Sequence, residues 1–185
     1  DVMLLLGNIE GDVPNLDALL TEYGMQRVNG YIADMDRCYQ GNYYYIFPVI
    51  SGDSDLMNGM STQMVMMVNA QGMELTDPER DTITTTSFMT TSSNGYAVTE
   101  NSQEKGTYVL GAIAEETIEG EDVTAENEED SNTETETVKS RFTVITSESM
   151  LDSQITDSFS TLENLTLFAN AVTTNFDGVQ NVAIE

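Results

Sequence analysis

The chain has 185 residues, enough for one domain or one domain with an elaborate insertion, and 39% of them are hydrophobic, enough to bury a core. Its 32 acids against 6 bases give a formal charge of −26, which opposes binding to nucleic-acid phosphates or anionic lipid, because both depend on Lys and Arg displacing counterions. With no histidine and one cysteine, the commonest general base, an internal disulfide and a thiolate zinc cluster are all excluded. The charge itself reads as solubility outside a cell, with cation binding as the sharper alternative.

In chain order, VMLLL at 2–6 is the longest apolar run. It has the length of a strand covered on both faces and falls far short of the roughly 20 residues that span a bilayer. PNLDALLTEYGM follows as a helix: Pro14 suits the first turn, Leu16, Leu19, Leu20 and Tyr23 share a face, and Gly24 supplies a left-handed stop. Next come short strand candidates in YIADM, YYYIFPVI and MVMMVNA, then TITTTSFMTTS and TYVLGAIAEETI. SDLMNGM reads as one helical turn and LTDPERD as a turn. The middle therefore predicts a largely β insertion. Its methionines read as alternating burial in a strand rather than a soft-metal surface.

Cys38, in DMDRCYQ, has only Arg37 nearby to activate a thiol, and reads as a semi-buried structural residue. From Glu115 to Glu136 there are 11 acids and no base, and residues 119–137 read as a disordered acidic loop, too poor in apolar side chains to order itself. Asp130, Asn132 and Glu134 have the spacing of a calcium loop's first ligands. Thr135 stands where that loop needs Gly, however, and Arg141 where it needs Glu. No metal site and no cofactor follow from the pattern.

SRFTVITS resumes as a strand, SMLDSQITDSFS connects it, and LENLTLFANAVTTNF is a helix with Leu162, Leu165, Phe168, Ala169 and Val172 on its apolar stripe. Two strand–loop–helix units thus bracket the chain. Residues 2–6 and 142–146 are expected to be neighbouring or near-neighbouring parallel strands, with Leu16, Leu19, Leu20, Leu165, Phe168 and Val172 packed on their sheet.

Ser147 and Ser149 follow the last strand, where many α/β enzymes place a nucleophile. TSESM lacks the glycines of a nucleophile elbow, no histidine exists to act as base, and a Ser–Lys pair would have to use Lys105 or Lys139. The serines read as strand terminators. No spacing singles out two of the 32 acids for acid–base work, so no catalytic residue is assigned.

DVPNLDALLTEYGM, then NGYIADMD with NYYYIFPVI, then TSFMTTSSNGYAVTE, and finally SRFTVITSESMLDS with NLTLFANAVTTNF occur in an order that resembles the GldG-like family. These are auxiliary components of ABC transporters, first associated with gliding motility. The resemblance runs from about Asp12 to Phe176. It excludes the acidic tract, and TTNF departs from the family's aromatic helix ending. It implies an α/β fold like that of class I glutamine amidotransferases (flavodoxin-like, with a parallel sheet) but without their catalytic Cys–His pair. It also implies one extracytoplasmic domain spanning 1–185, cut from a longer membrane-anchored protein on the outer face of a bacterial cell membrane, with ABC permease and ATPase subunits as partners. A cell-envelope interaction protein unrelated to transport is the alternative.

Overall fold

The apolar run at the amino end forms β1, Val2–Leu5, and the helix predicted after it is α1, Pro14–Glu22. The chain then stays extended through β2 (Met25–Val28), β3 (Tyr31–Asp34), β4 (Cys38–Tyr39), β5 (Asn42–Ile46) and β6 (Val49–Ile50). Pro48 separates the last two, since it cannot donate to a ladder. β7 (Met67–Val68), β8 (Gly72–Leu75), β9 (Ile83–Thr90), β10 (Gly95–Val98), β11 (Gln103–Gly106), β12 (Val109–Glu119) and β13 (Thr137–Ile145) follow. A 3-10 turn at Glu148–Leu151, a single helical turn α2 (Ser153–Thr156) and the helix α3 (Asn164–Thr173) complete the path. This computed structural model describes residues 1–7, 9, 11–51, 55–119 and 137–173.

β1 and β13 are parallel neighbours, with Val2 opposite Phe142 and Leu5 opposite Ile145. That pairing follows the expectation from the two apolar runs, but the fold class does not. β12 and β13 form a long antiparallel pair from Gly111–Ile145 to Glu119–Thr137, and β9 runs antiparallel along β12. β8, β2 and β6 join the same sheet, again antiparallel. The seven-stranded sheet is therefore mixed with a single parallel pair, and two three-stranded antiparallel sheets, β11-β10-β3 and β4-β5-β7, accompany it. The protein is mostly β, and the flavodoxin-like parallel α/β arrangement is wrong for it. What reads in sequence as an insertion builds the main sheet: the β-branched run at β9 and the apolar alternation of β12 supply its centre.

β12 and β13 divide their side chains between two cores by strand alternation. Ala112, Ala114, Phe142 and Val144 face α1, where Leu20 is fully buried and Leu16 packs beside it. Ile113 and Ile145 face the other way, toward Phe88, Met89 and α3. Leu19 is not on the inner face as expected but is 42% exposed. α3 departs further: it buries Asn164, Leu167, Asn170 and Ala171, while Leu165 and Val172 of the predicted stripe are exposed. The polar residues chose the face, as the site below explains.

The acidic stretch also divides. Residues 115–119 are strand, ending β12, with Arg141 paired to Glu115 and Arg80 to Glu116. The remainder of the predicted 119–137 loop, residues 120–136, lies outside the described residues, as do Asp130, Asn132 and Glu134. Cys38 is half-buried in β4.

Gly24 closes α1 with its N–H on Thr21 O at 2.9 Å and a φ of +71°, and a Cβ there would lie 2.6 Å from Thr76 O. Gly24→Ala is expected to lower stability by about 2 kcal/mol or more, from left-handed strain and a backbone collision. Chemical denaturation would read it as a lower midpoint at unchanged slope.

Candidate functional site

At their carboxyl ends β1 and β13 open onto a pocket of about 550 Å³, lined by Leu6, Gly7, Tyr31, Asn69, Glu148 and Asp152 among others. Gly7 lets the Glu148 carboxylate lie across it, since a Cβ would come within 2.9 Å of Oε2. A second pocket of about 600 Å³ shares Tyr31 and adds Ile9, Arg27, Tyr44, Gln71 and Thr99.

Ser147 and Ser149 reach this pocket, and both hydroxyls are committed to the main chain. Ser147 Oγ donates to Val68 O at 3.0 Å, Ser149 Oγ accepts from Val68 N–H at 2.8 Å, and the hydroxyls lie 2.6 Å apart. Ser147 also receives Ser149 N–H at 3.3 Å, capping the 3-10 turn. The strand-terminator reading describes what they do, with more consequence than expected: they tie the end of β13 to β7. The first pocket contributes carboxylates and hydroxyls and no Lys or Arg, so it suits a neutral or cationic guest over an anion.

The same device recurs along residues 56–68. Asn164 accepts from Met66 N–H at 2.9 Å and donates to Met66 O at 2.8 Å and Met150 O at 3.1 Å. Asn170 Nδ2 donates to Leu56 O at 3.0 Å and Asn58 O at 2.7 Å. Glu163 accepts from Ser61, Thr62 and Gln63 N–H at 2.6, 3.0 and 2.7 Å, and from the Ser61 and Thr62 hydroxyls at 2.9 Å each. Burial works to raise the Glu163 pKa, but hydrogen bonds from Ser61 and Thr62 outweigh it and hold the carboxyl at about 2. Asp34, fully buried, accepts from Asp36, Arg37 and Ser92 N–H and from the Ser92 hydroxyl.

None of Asp34, Glu163, Asn164 and Asn170 stands out by spacing in the sequence. Their signal is a polar residue inside an apolar stretch, as in YIAD and NLTLFANAV. The arginines are spent internally as well. Arg27 pairs with Asp17 at 2.6 Å, Arg80 bridges Glu22 and Glu116, Arg141 meets Glu115, and Arg37 donates to Phe47 O and Pro48 O. No group of three or more potential metal ligands occurs among the described residues.

No family model matches the chain, and no curated protein does. Among solved structures it is similar to the mmIFT52 N-terminal domain, with 14% identity and a TM-score of 0.53 over 98% of this chain and 66% of that chain. This chain thus spans just under two thirds of its structural neighbour. At that identity the likeness concerns the fold.

Ser149→Ala takes the acceptor from Val68 N–H and should cost about 1–3 kcal/mol of stability, without loss of any binding activity and without labelling of either serine by a fluorophosphonate in the wild type. Stoichiometric labelling would show a reactive hydroxyl and defeat this account. Glu163 predicts an acid dependence. Its ordinary pKa of 4.5 falls to about 2 in the fold, so its contribution is complete above about pH 4.5 and disappears as pH falls through about 2. Glu163→Gln should therefore melt lower than wild type at pH 6, and the gap should close on acidification. A gap constant down to pH 2 would contradict the role of the ionised carboxylate.

Proposed function

We propose that this chain is a non-catalytic extracytoplasmic module of an ABC transport system, of the GldG-like auxiliary kind, that works by binding protein or ligand. One observation carries the reading: the polar residues inside the motifs that carry the resemblance are the ones with structural work to do. Asp34 of NGYIADMD holds Ser92 of TSFMTTSS, and Asn164 and Asn170 of NLTLFANAV clamp the 56–66 main chain. Asp34 with Ser92, and Asn164 donating to Met150 O of SRFTVITSESMLDS, tie motif to motif, which supports kinship of these segments better than composition does.

The non-catalytic part of the reading is supported by the two serines, whose hydroxyls are engaged by Val68. Among the described residues no helix is long and apolar enough to cross a membrane, so in this reading the anchors belong to chain outside 1–185. The permease and ATPase of the same system are the proposed partners, met on the outer face of a bacterial cell membrane.

Copurification tests it. The full-length reading frame, tagged and coexpressed with the ATPase and permease encoded beside it, should recover both from detergent-solubilised membranes in fixed stoichiometry. Recovery of the tagged protein alone, under conditions that keep the permease and ATPase together, would refute the transport assignment.

A further inference from the structure

β1 has the composition of an interior strand and the position of an edge. VMLL is apolar throughout, yet Val2 is 61% exposed and the other three residues are only half-buried. Its one neighbour among the described residues is β13. The register fixes which backbone groups are open. Leu6 N–H donates to Ile145 O at 2.8 Å, so by the alternation of a parallel ladder Val2, Leu4 and Leu6 address β13, while the N–H and C=O of Met3 and Leu5 point to the open side. Edge strands ordinarily guard such groups with charge, proline or a bulge. VMLL carries none of these.

α3 reaches the same edge at its last turn, where Val172 is 40% exposed. A notch of about 110 Å³ lined by Val2, Met3, Ala171 and Val172, together with Asp1, Thr143 and the Glu115-paired Arg141, joins strand to helix. An unpaired strand edge beside an apolar helix face is a surface shaped for more polypeptide.

We propose that the open edge of β1, with Val172 of α3 beside it, is a docking strip for an extended segment of a partner protein, apolar at alternate positions and flanked by Lys or Arg. The N–H and C=O groups of Met3 and Leu5, engaged by no described strand, call for a strand, which excludes a flat apolar surface such as lipid. The charge decides between strands. Two copies of this chain would bring −26 against −26, a repulsion that a base-flanked partner converts into attraction. The inference rests on the chain being an interaction module and is indifferent to the transport assignment.

Amide hydrogen exchange, resolved by residue, tests it on the 185-residue protein with two synthetic probes, Lys-Thr-Val-Thr-Val-Thr-Lys and its Glu-flanked counterpart. Met3 and Leu5 should exchange freely in dilute protein and slow by roughly tenfold or more on saturation with the Lys-flanked peptide at low salt, while the Glu-flanked peptide leaves them unchanged. Met3→Pro removes an outward donor without touching a bond to β13, and should weaken the Lys-flanked peptide by roughly tenfold. If that variant does not fold, Val2→Arg, which sets a positive charge against the basic flanks, should weaken it likewise. Slow exchange that grows with protein concentration would assign the edge to a second copy. Slow exchange abolished by removing residues 174–185 would assign it to the chain's own end. Either result, or an equal response to both peptides, or to neither, overturns the proposal. A failed titration beside a stable complex of the three transport proteins would remove the docking strip and leave the transport reading standing.

Discussion

Burying main chain that no sheet can satisfy is the constraint on which this architecture turns. Val65, Met66 and Met67 are all but inaccessible, and their apolar side chains pull residues 56–68 inward. β7 spans only two of those residues, so the N–H and C=O groups of the buried Leu56, Val65 and Met66 must find partners elsewhere or cost the fold a desolvation penalty each. Side chains supply the partners. Asn164 and Asn170 make the inner face of α3 a receptor for main chain, Glu163 gathers three successive amides, and Ser147 and Ser149 hold Val68. The orientation of α3 is a consequence. Presenting both asparagines inward rotates Leu165 and Val172 out, because positions 164, 167, 170 and 171 share one face.

The main sheet answers a second demand. β12 pairs along one edge with β13 and along the other with β9, so it lies at the middle, and its small residues Gly111, Ala112 and Ala114 let bulky neighbours approach. At Gly111 a Cβ would come within 2.7 Å of Met89 Cε and 2.8 Å of Phe88 Cζ. Its far end is acidic, and there Arg80 and Arg141 counter Glu116 and Glu115. Few bases are present, and the arginines are held by the fold itself. The outer surface is left to acids, and guests of positive charge are favoured.

What could be read from sequence follows the range of the forces involved. β1, α1, β9 and β13 announced themselves because each is a local pattern: an apolar run, a helical stripe closed by Gly24, a β-branched series. The parallel pairing of β1 with β13 was also legible, from two strand–helix units that had to share a sheet. The fold class was not. It depends on whether β12 returns antiparallel beside β13, and the acidic residues between them hide a hairpin whose strands meet only in space. β11 was missed because QEKG has no apolar residue to mark alternation, its pairing with β10 being carried by backbone bonds. α3 was recognised but set on the wrong face, since a hydrophobic count takes asparagine for a surface residue. Of the candidate site, the serines read as strand terminators from their place after β13, but their grip on Val68 spans 79 and 81 residues of sequence and leaves no local trace.

The closing pair of the β12–β13 ladder, Glu119 opposite Thr137, bears on how this scaffold can be altered. The chain leaves the sheet and re-enters it at adjacent strands, roughly 5 Å apart, so whatever is spliced between them begins and ends at one point. Loop closure is then weakly sensitive to length, about 0.6 kcal/mol for each doubling. A guest domain whose own termini lie close together could be grafted between Glu119 and Thr137, turning the hairpin into a handle for fluorescence or affinity reporting. The β1 edge, the two pockets and the α3 clamps would keep their places in the host.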